Sequence, residues 1–333
     1  MITVTVFLRK NCPDCDQVLS DLEALNTLTP HRVVEIDVDN DPVLHAAYQK
    51  LAVPVVQVGP YSLRPPFTRQ DLQVALTAAS QRSQQLQTTG DEGYRERMLR
   101  GQIITRADRF SYWLSQHYMV LFNLAVLLYV GLPFLAPIFE RAGAPGAANV
   151  VYTMYKPLCH QLAYRSFFLF GEQAYYPRAL AGIEGVKTYG EVSGLPEDTT
   201  DQATLAARAY HGDEHVGYKI ALCERDIALW GSIFLFGMIF SLTGKRLPSI
   251  PWYIWILFGL LPIGLDGGSQ LLGLFPFLPA AWVRESTPLL RVITGALFGT
   301  LTAWYLYPLV EENMRDMRAV LARKFAASSK EGE

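Results

Sequence analysis

Asn11-Cys12-Pro13-Asp14-Cys15-Asp16 is the stretch that decides the fold of the chain. It holds two cysteines two residues apart, with a proline after the first. Directly before it runs the apolar, β-branched Ile2-Thr3-Val4-Thr5-Val6-Phe7-Leu8, and after it Val18, Leu19, Leu22 and Leu25 recur at helical spacing. A strand that hands a Cys-x-x-Cys pair to a helix N-terminus is a thioredoxin-like redox arrangement. Unpaired N–H groups and the helix dipole stabilise a thiolate at Cys12 and make it the attacking sulfur. Cys15, one turn further in, is placed to resolve a mixed disulfide. Half of a zinc site is the other reading of the pair. A structural zinc takes four ligands, however, and no second cysteine pair or Cys/His couplet follows in the next hundred or so residues.

The neighbouring segments extend the pattern. Arg32-Val33-Val34-Glu35-Ile36-Asp37-Val38 reads as a second strand, and Asp41-Pro42-Val43 opens a helix with Asp41 as N-cap and Pro42 at the first helical position. Val53-Pro54-Val55-Val56-Gln57-Val58-Gly59 is a strand headed by proline, and a last helix begins near Thr68. Taken together over residues 1–85, these elements resemble the glutaredoxin-like proteins of the thioredoxin superfamily. The resemblance implies an α/β thioredoxin-like domain in which Pro54 is cis, lies beside Cys12 and presents backbone to a substrate, either a thiol or disulfide protein or a small thiol. The tetrad itself is Cys-Pro-Asp-Cys, where true glutaredoxins usually carry Cys-Pro-Tyr-Cys.

At 333 residues, half of them hydrophobic, the chain has room for two or three domains. The apolar excess is unevenly spread: the first hundred or so residues read as a soluble domain, and long apolar runs follow. A net charge of −2, without a basic patch interleaved with aromatics, gives no expectation of nucleic-acid binding. Residues 1–10 lack a positive n-region and a cleavage site, so they read as a strand and not as a signal peptide. The redox domain is therefore expected on the synthesis side of the membrane, where thiols are kept reduced.

Beyond residue 85 a polar linker, 80–93, passes into a basic amphipathic stretch. Ile103, Ile104, Ala107, Phe110, Trp113 and Leu114 share one helical face there, with Arg100, Arg106 and Arg109 off it. Residues 86–117 thus read as linker plus an interfacial helix on anionic lipid, with packing on the redox domain as the other reading. About four transmembrane helices are expected in a membrane domain spanning 118–312: residues 119–139, 227–244, 250–265 and 289–310. Basic residues at 95–109, Lys245-Arg246 and the tail 313–333 fall on one side of this four-span scheme. By the positive-inside rule that side is the cytoplasm, which gives a multi-pass protein of the bacterial cytoplasmic (inner) membrane with both termini cytoplasmic. The connection 140–225 is then external, with 149–170 as a re-entrant or interfacial helix and 171–222 as a polar subdomain.

Unusual polar groups punctuate the membrane half: Cys159-His160-Gln161, Arg165, Cys223-Glu224-Arg225-Asp226, Asp266 to Gln270, and Arg291. Over about 150–312 they resemble a family of bacterial membrane proteins catalogued as domain of unknown function 2085. Relatives often carry Cys-x-x-Cys where this chain has Cys223-Glu224-Arg225-Asp226. In the four-span scheme Cys159, His160, Gln161, Arg165, Cys223, Asp226, Asp266, Gln270 and Arg291 reach one depth and are expected to form one polar cluster. Asp266 and Arg291, each near a span end, should pair or line a wet cavity. Cys159 and Cys223 are either a disulfide or, with His160 and an acidic residue, ligands of a metal ion. His211 and His215 read as solvated, Asn123 as a bond to a neighbouring helix, and Gly295-x-x-x-Gly299 as close helix packing, with homo-oligomerisation the other reading. Two functions stay open. One is a membrane-anchored thiol–disulfide oxidoreductase that relays reducing equivalents to Cys159 and Cys223. The other is a membrane metal- or small-molecule-binding protein or transporter with a regulatory redox domain.

Overall fold

The computed structural model describes residues 2–49, 51–88, 103–198, 200–272 and 284–331. They fall into two units, Met1–His117 with Glu312–Glu333, and Tyr118–Glu311.

The first unit is built on strand β1 (Ile2–Leu8), which pairs in parallel with β2 (His31–Asp37) and antiparallel with β3 (Val55–Val58); β4 (Tyr61–Leu63) completes the sheet order β2-β1-β3-β4. Alternation along the strands sends side chains to two cores. On one face Val4, Val6, Val56 and Val58 meet Val18, Leu22 and Leu25 of α1 (Pro13–Leu25) and Leu72 and Leu76 of α3 (Arg69–Thr88). On the other, Phe7, Val34, Ile36 and Val55 meet Leu44 and Tyr48 of α2 (Pro42–Tyr48). Asp41 caps α2 by accepting hydrogen bonds from the N–H groups of Val43 (2.7 Å) and Leu44 (3.1 Å). Helix α3 carries the chain through Thr88, so the first part of the expected linker is helical; residues 89–102 lie outside the described residues.

Two later segments complete this unit. Ala322 is buried in the second core, Tyr112 packs against it, and the Lys324 ammonium lies 2.8 Å from Asp108 Oδ2. The expected separate interfacial helix is instead the first part of α4 (Arg106–Gly131), which runs without a break into the first apolar span. Phe110 and Trp113 on its apolar face stay exposed.

In the second unit α4 continues through a 3-10 turn into α5 (Leu135–Arg141), followed by α6 (Pro145–Tyr155). The expected 149–170 helix stops at Tyr155, because Pro157 has no N–H to continue the ladder. The chain then forms β5 (Ser166–Leu169), α7 (Tyr189–Ser193), α8 (Asp201–Ala209), β6 (Gly212–Asp213) and β7 (Gly217–Cys223), with sheet order β5-β7-β6. Next come α9 (Glu224–Leu242), α10 (Trp252–Ile254), a π-helical stretch over Trp255–Leu260, α11 (Leu261–Leu272) and the 44-residue α12 (Pro288–Glu331).

Among the described residues three helical runs are long and apolar enough to cross a membrane: Arg106–Arg141, Glu224–Leu242 and Pro288–Ser328. Only 28%, 17% and 28% of their most apolar stretches is buried, so the protein itself leaves most of that surface uncovered. The fourth expected span is helical from 252 to 272 but is interrupted by the π turn.

Close helix contact in this unit depends on two glycines. A Cβ on Gly295 would sit 2.6 Å from the Arg225 carbonyl oxygen, and one on Gly299 would overlap the Leu229 carbonyl and Ser232 Oγ. The Gly295-x-x-x-Gly299 pair thus seats α12 on α9 within one chain. Asn123 Nδ2 donates to Ser241 Oγ at 3.4 Å, a second bond between helices. Gly299→Val should destabilise the membrane half by about 1–3 kcal/mol through overpacking. Gly131→Ala, where an added Cβ meets nothing within 4 Å, serves as the control. Thermal unfolding in detergent is the measurement, and equal midpoints for the two variants would remove the close-contact reading.

Candidate functional site

The dithiol sits where β1 turns into α1. Asn11 adopts a left-handed conformation (φ 57°), which asparagine tolerates better than most residues, and reverses the chain there. Cys12 is the N-cap and Pro13 fills the first helical position, where a missing N–H costs nothing. Cys12 and Cys15 are joined as a disulfide with Cα atoms 5.2 Å apart. Cys15 is buried, whereas Cys12 is half-exposed, so an incoming substrate meets Cys12 first. The Cys15 N–H points at Cys12 Sγ from 3.2 Å, the donor that would hold a thiolate there. The Val53–Pro54 peptide is cis, and Pro54 lines a cleft of about 300 Å³ together with Asp14, Gln17 and Asp21 of α1, the 65–68 loop and Leu72. A second cis peptide, Pro65–Pro66, lies in that loop.

The polar residues of the membrane half divide into three connected groups. In the first, Cys159, Cys223 and Asp226 bring their ligand atoms within 4.8 Å of one another, and the Cys223 thiol lies 3.1 Å from Asp226 Oδ2. Both cysteines are free thiols. Contact with the Cys223 thiol lowers the pKa of Cys159, while that same contact and then burial raise that of Cys223. Gln161 buttresses this group. Its N–H lies 3.4 Å from Cys159 Sγ, and its side-chain amide donates to the carbonyls of Tyr152 (2.8 Å) and Ala221 (3.2 Å). His160 is exposed and outside the donor set, which departs from the expected ligand list.

The second group surrounds Glu285. Arg165 donates to both of its carboxylate oxygens (2.9 and 3.0 Å), Arg178 to one of them (3.2 Å), and Arg291 closes the ring. Arg291 also reaches Glu224 Oε2 at 3.2 Å. The third group surrounds Asp266, which is met by Arg225, Arg284 (3.2 Å) and Ser286 Oγ (2.9 Å); Gln270 donates to the Asp266 carbonyl.

Asp266 and Arg291 are therefore each paired, with different partners and not with each other. Consecutive residues link their networks: Glu224 and Arg225 serve one network each, as do Glu285 and Ser286. Sequence reasoning noted Glu224 and Arg225 beside Cys223 without giving them a role, and missed Arg178, Arg284 and Glu285. The available signal was the position of Glu224-Arg225 and Arg284-Glu285 immediately before apolar runs, where an unpaired charge is costly.

One further correction lies in the β-sheet subdomain. His211 is half-buried and not solvated: it stacks on Tyr152 with centroids 3.9 Å apart, and burial followed by the charges of Lys219 and Lys156 brings its pKa down to about 4. Lys219 is fully buried, donating to the carbonyls of Gln161 (2.9 Å) and Arg208 (2.6 Å), and burial pushes its ammonium down to about 7.

Burial opposes the Glu285 carboxylate, but Arg165, then Arg291 and Arg178, more than offset it and hold its pKa below the usual 4.5. A carboxylate with a depressed folded-state pKa contributes stability that is whole above pH 4.5 and lost as pH falls through the folded value. Glu285→Gln should accordingly cost about 3–5 kcal/mol at neutral pH, since it strips the countercharge from buried guanidiniums. Thermal midpoints from pH 7 down to 3 check this, and the variant should lose part of the parent's acid sensitivity in that range. A neutral-pH midpoint equal to that of the parent would show that Glu285 is not the hub.

Comparison with known proteins agrees with this division. Residues 3–81 match the Glutaredoxin-like domain (DUF836) and residues 215–305 match the Predicted membrane protein (DUF2085). The chain is 26% identical over 208 residues to the uncharacterized protein MJ1492 of Methanocaldococcus jannaschii, an alignment covering 60% of this chain and 96% of the relative. No solved structure matches. One chain thus joins a segment similar to the Glutaredoxin-like domain (DUF836) to a segment similar to the Predicted membrane protein (DUF2085).

Proposed function

We propose that the protein is a membrane-anchored thiol–disulfide oxidoreductase that works through Cys12 and Cys15. One observation carries the reading: the half-exposed Cys12 sits at a helix N-terminus, accepts the Cys15 N–H and is in disulfide linkage with the buried Cys15. In the reducing direction the Cys12 thiolate attacks a substrate disulfide, forms a mixed disulfide and releases one substrate thiolate. Cys15, as thiolate, then attacks Cys12 Sγ, the second substrate thiolate leaves with the electron pair of the broken mixed disulfide, and the protein, two electrons poorer, is left as the Cys12–Cys15 disulfide. A dithiol donor returns the two electrons and two protons. Pro54 lines the cleft beside α1 and is the backbone platform for the substrate.

Chain connectivity supports a four-span arrangement with both termini on one side of the membrane, and the basic flanks assign that side to the cytoplasm. Unit one contains both Met1–His117 and Glu312–Glu333, so the chain leaves it and returns to it. Return needs an even number of crossings, and the three apolar helical runs reach four only if 252–272 also crosses.

In full-length protein Cys12→Ser should abolish disulfide reduction, whereas Cys15→Ser should accumulate mixed disulfides, because attack survives and resolution does not. Both variants retaining full activity would end the dithiol reading. For topology, reporters after Glu333 and at about Thr200 should read cytoplasmic and external, and matching locations would remove the four-span arrangement.

A further inference from the structure

Cys159, Cys223 and Asp226 are the one group of three or more His, Cys, Asp or Glu side chains among the described residues whose donor atoms converge closely enough to share a metal ion. Cys159 follows α6, its N–H bonded to the Tyr155 carbonyl at 2.9 Å, and is 7% exposed. Cys223 ends β7 and caps α9, and Asp226 lies three residues further on. An i, i+3 spacing in a first helical turn puts two side chains on one side, and the 3.1 Å contact between Cys223 Sγ and Asp226 Oδ2 is its result. The strand-to-helix junction thus supplies two donors, and the segment after α6 brings the third.

We propose that Cys159, Cys223 and Asp226 bind a borderline divalent cation of the zinc class through two thiolates and one carboxylate. Bond lengths of about 2.3 Å to sulfur and 2.0–2.2 Å to oxygen place donors in a tetrahedral site roughly 3.5–3.8 Å apart. The three donor atoms here lie within 4.8 Å, a separation that side-chain rotation closes. The donor set selects the ion. Two sulfurs disfavour magnesium and calcium, which take oxygen ligands, and the carboxylate is a hard donor that a purely thiophilic monovalent ion does not use. The surroundings are those of a built site. Gln161 holds a left-handed backbone (φ 54°) that aims its N–H at Cys159 Sγ, and both amide bonds of its side chain fix it in place. Tyr129, Tyr155 and Trp230 belong to the apolar cluster around the thiols, and their low polarity strengthens each metal–ligand bond. Binding displaces the thiol protons, and no electrons change hands. The site is independent of the dithiol chemistry, and its failure would leave that reading intact.

The test uses full-length protein in detergent with Cys12→Ser and Cys15→Ser, which removes the other cysteine pair. With thiols reduced, cobalt(II) should bind one per chain, develop thiolate-to-cobalt charge-transfer and tetrahedral d–d absorption, and be displaced by zinc(II). Cys159→Ser and Cys223→Ser should each remove most of the charge-transfer absorption. Asp226→Asn, isosteric and the variant least disposed to misfold, should keep that absorption but weaken binding at least tenfold. His160→Ala should bind as the parent does. The proposal is overturned by a monodisperse, reduced parent without charge-transfer absorption, or by Asp226→Asn binding cobalt as tightly as the parent. Recovery of Cys159 and Cys223 as a disulfide from acid-quenched cells would overturn it too.

Discussion

The membrane half depends on the pairing of Glu285 with three guanidinium groups. Charges withdrawn from water at helix ends persist only when every one of them finds a partner. Glu285 meets that requirement for Arg165, Arg178 and Arg291 at once. Those arginines come from the β-sheet subdomain and from α12, so a single carboxylate ties the extramembrane fold to a span. The alternation at Glu224-Arg225 and Glu285-Ser286 extends the lattice to Asp266 without adding another element. Such an arrangement fixes how the helices end against one another, in a medium where apolar side chains supply little preference between neighbours. The glycine contact between α9 and α12 acts on the same pair of helices by shape.

Much of the redox domain was legible in the sequence, because its signals are local. Asp41-Pro42 marks a cap, β-branched runs mark strands, and Cys12-Pro13-Asp14-Cys15 marks the turn into a helix. The apolar runs of the membrane half were equally plain. What the sequence concealed was partnership. Asp266 and Arg291 are conspicuous as charges beside apolar runs, but choosing Arg225 over Arg291 for Asp266 requires the rotation of three helices, which no local pattern encodes. His160 was singled out for standing next to Cys159, yet adjacent residues in an irregular turn point in different directions, and Asp226 proved to be the neighbour of the thiols. Glu285 escaped notice because it lies just outside an apolar run.

The two cysteine pairs also differ in kind. Cys12 and Cys15 share one turn of one helix, a geometry set by three residues of chain and shielded from changes elsewhere. Cys159 and Cys223 meet only because α6, β7 and α9 pack together around Ala148, Tyr152, Ala221 and Leu222. The first pair is a local device, whereas the second reports the integrity of the fold that assembles it.

Ala322 is buried among Phe7, Val34, Leu44 and Tyr48, and the Arg323 guanidinium lies over the rings of Tyr48 and Phe7 at 5.2 and 5.8 Å. The redox unit thus takes part of its core from a segment translated some two hundred residues after His117, at Glu312–Glu333. Synthesis runs from the N-terminus, and domains generally fold as they emerge. Here the sheet, its first core and most of the second core can form early, but Ala322 joins the second core only after the membrane helices have been made. Completion of the dithiol unit is thereby coupled to completion of the membrane half, so a chain that stalls during insertion carries an unfinished redox domain.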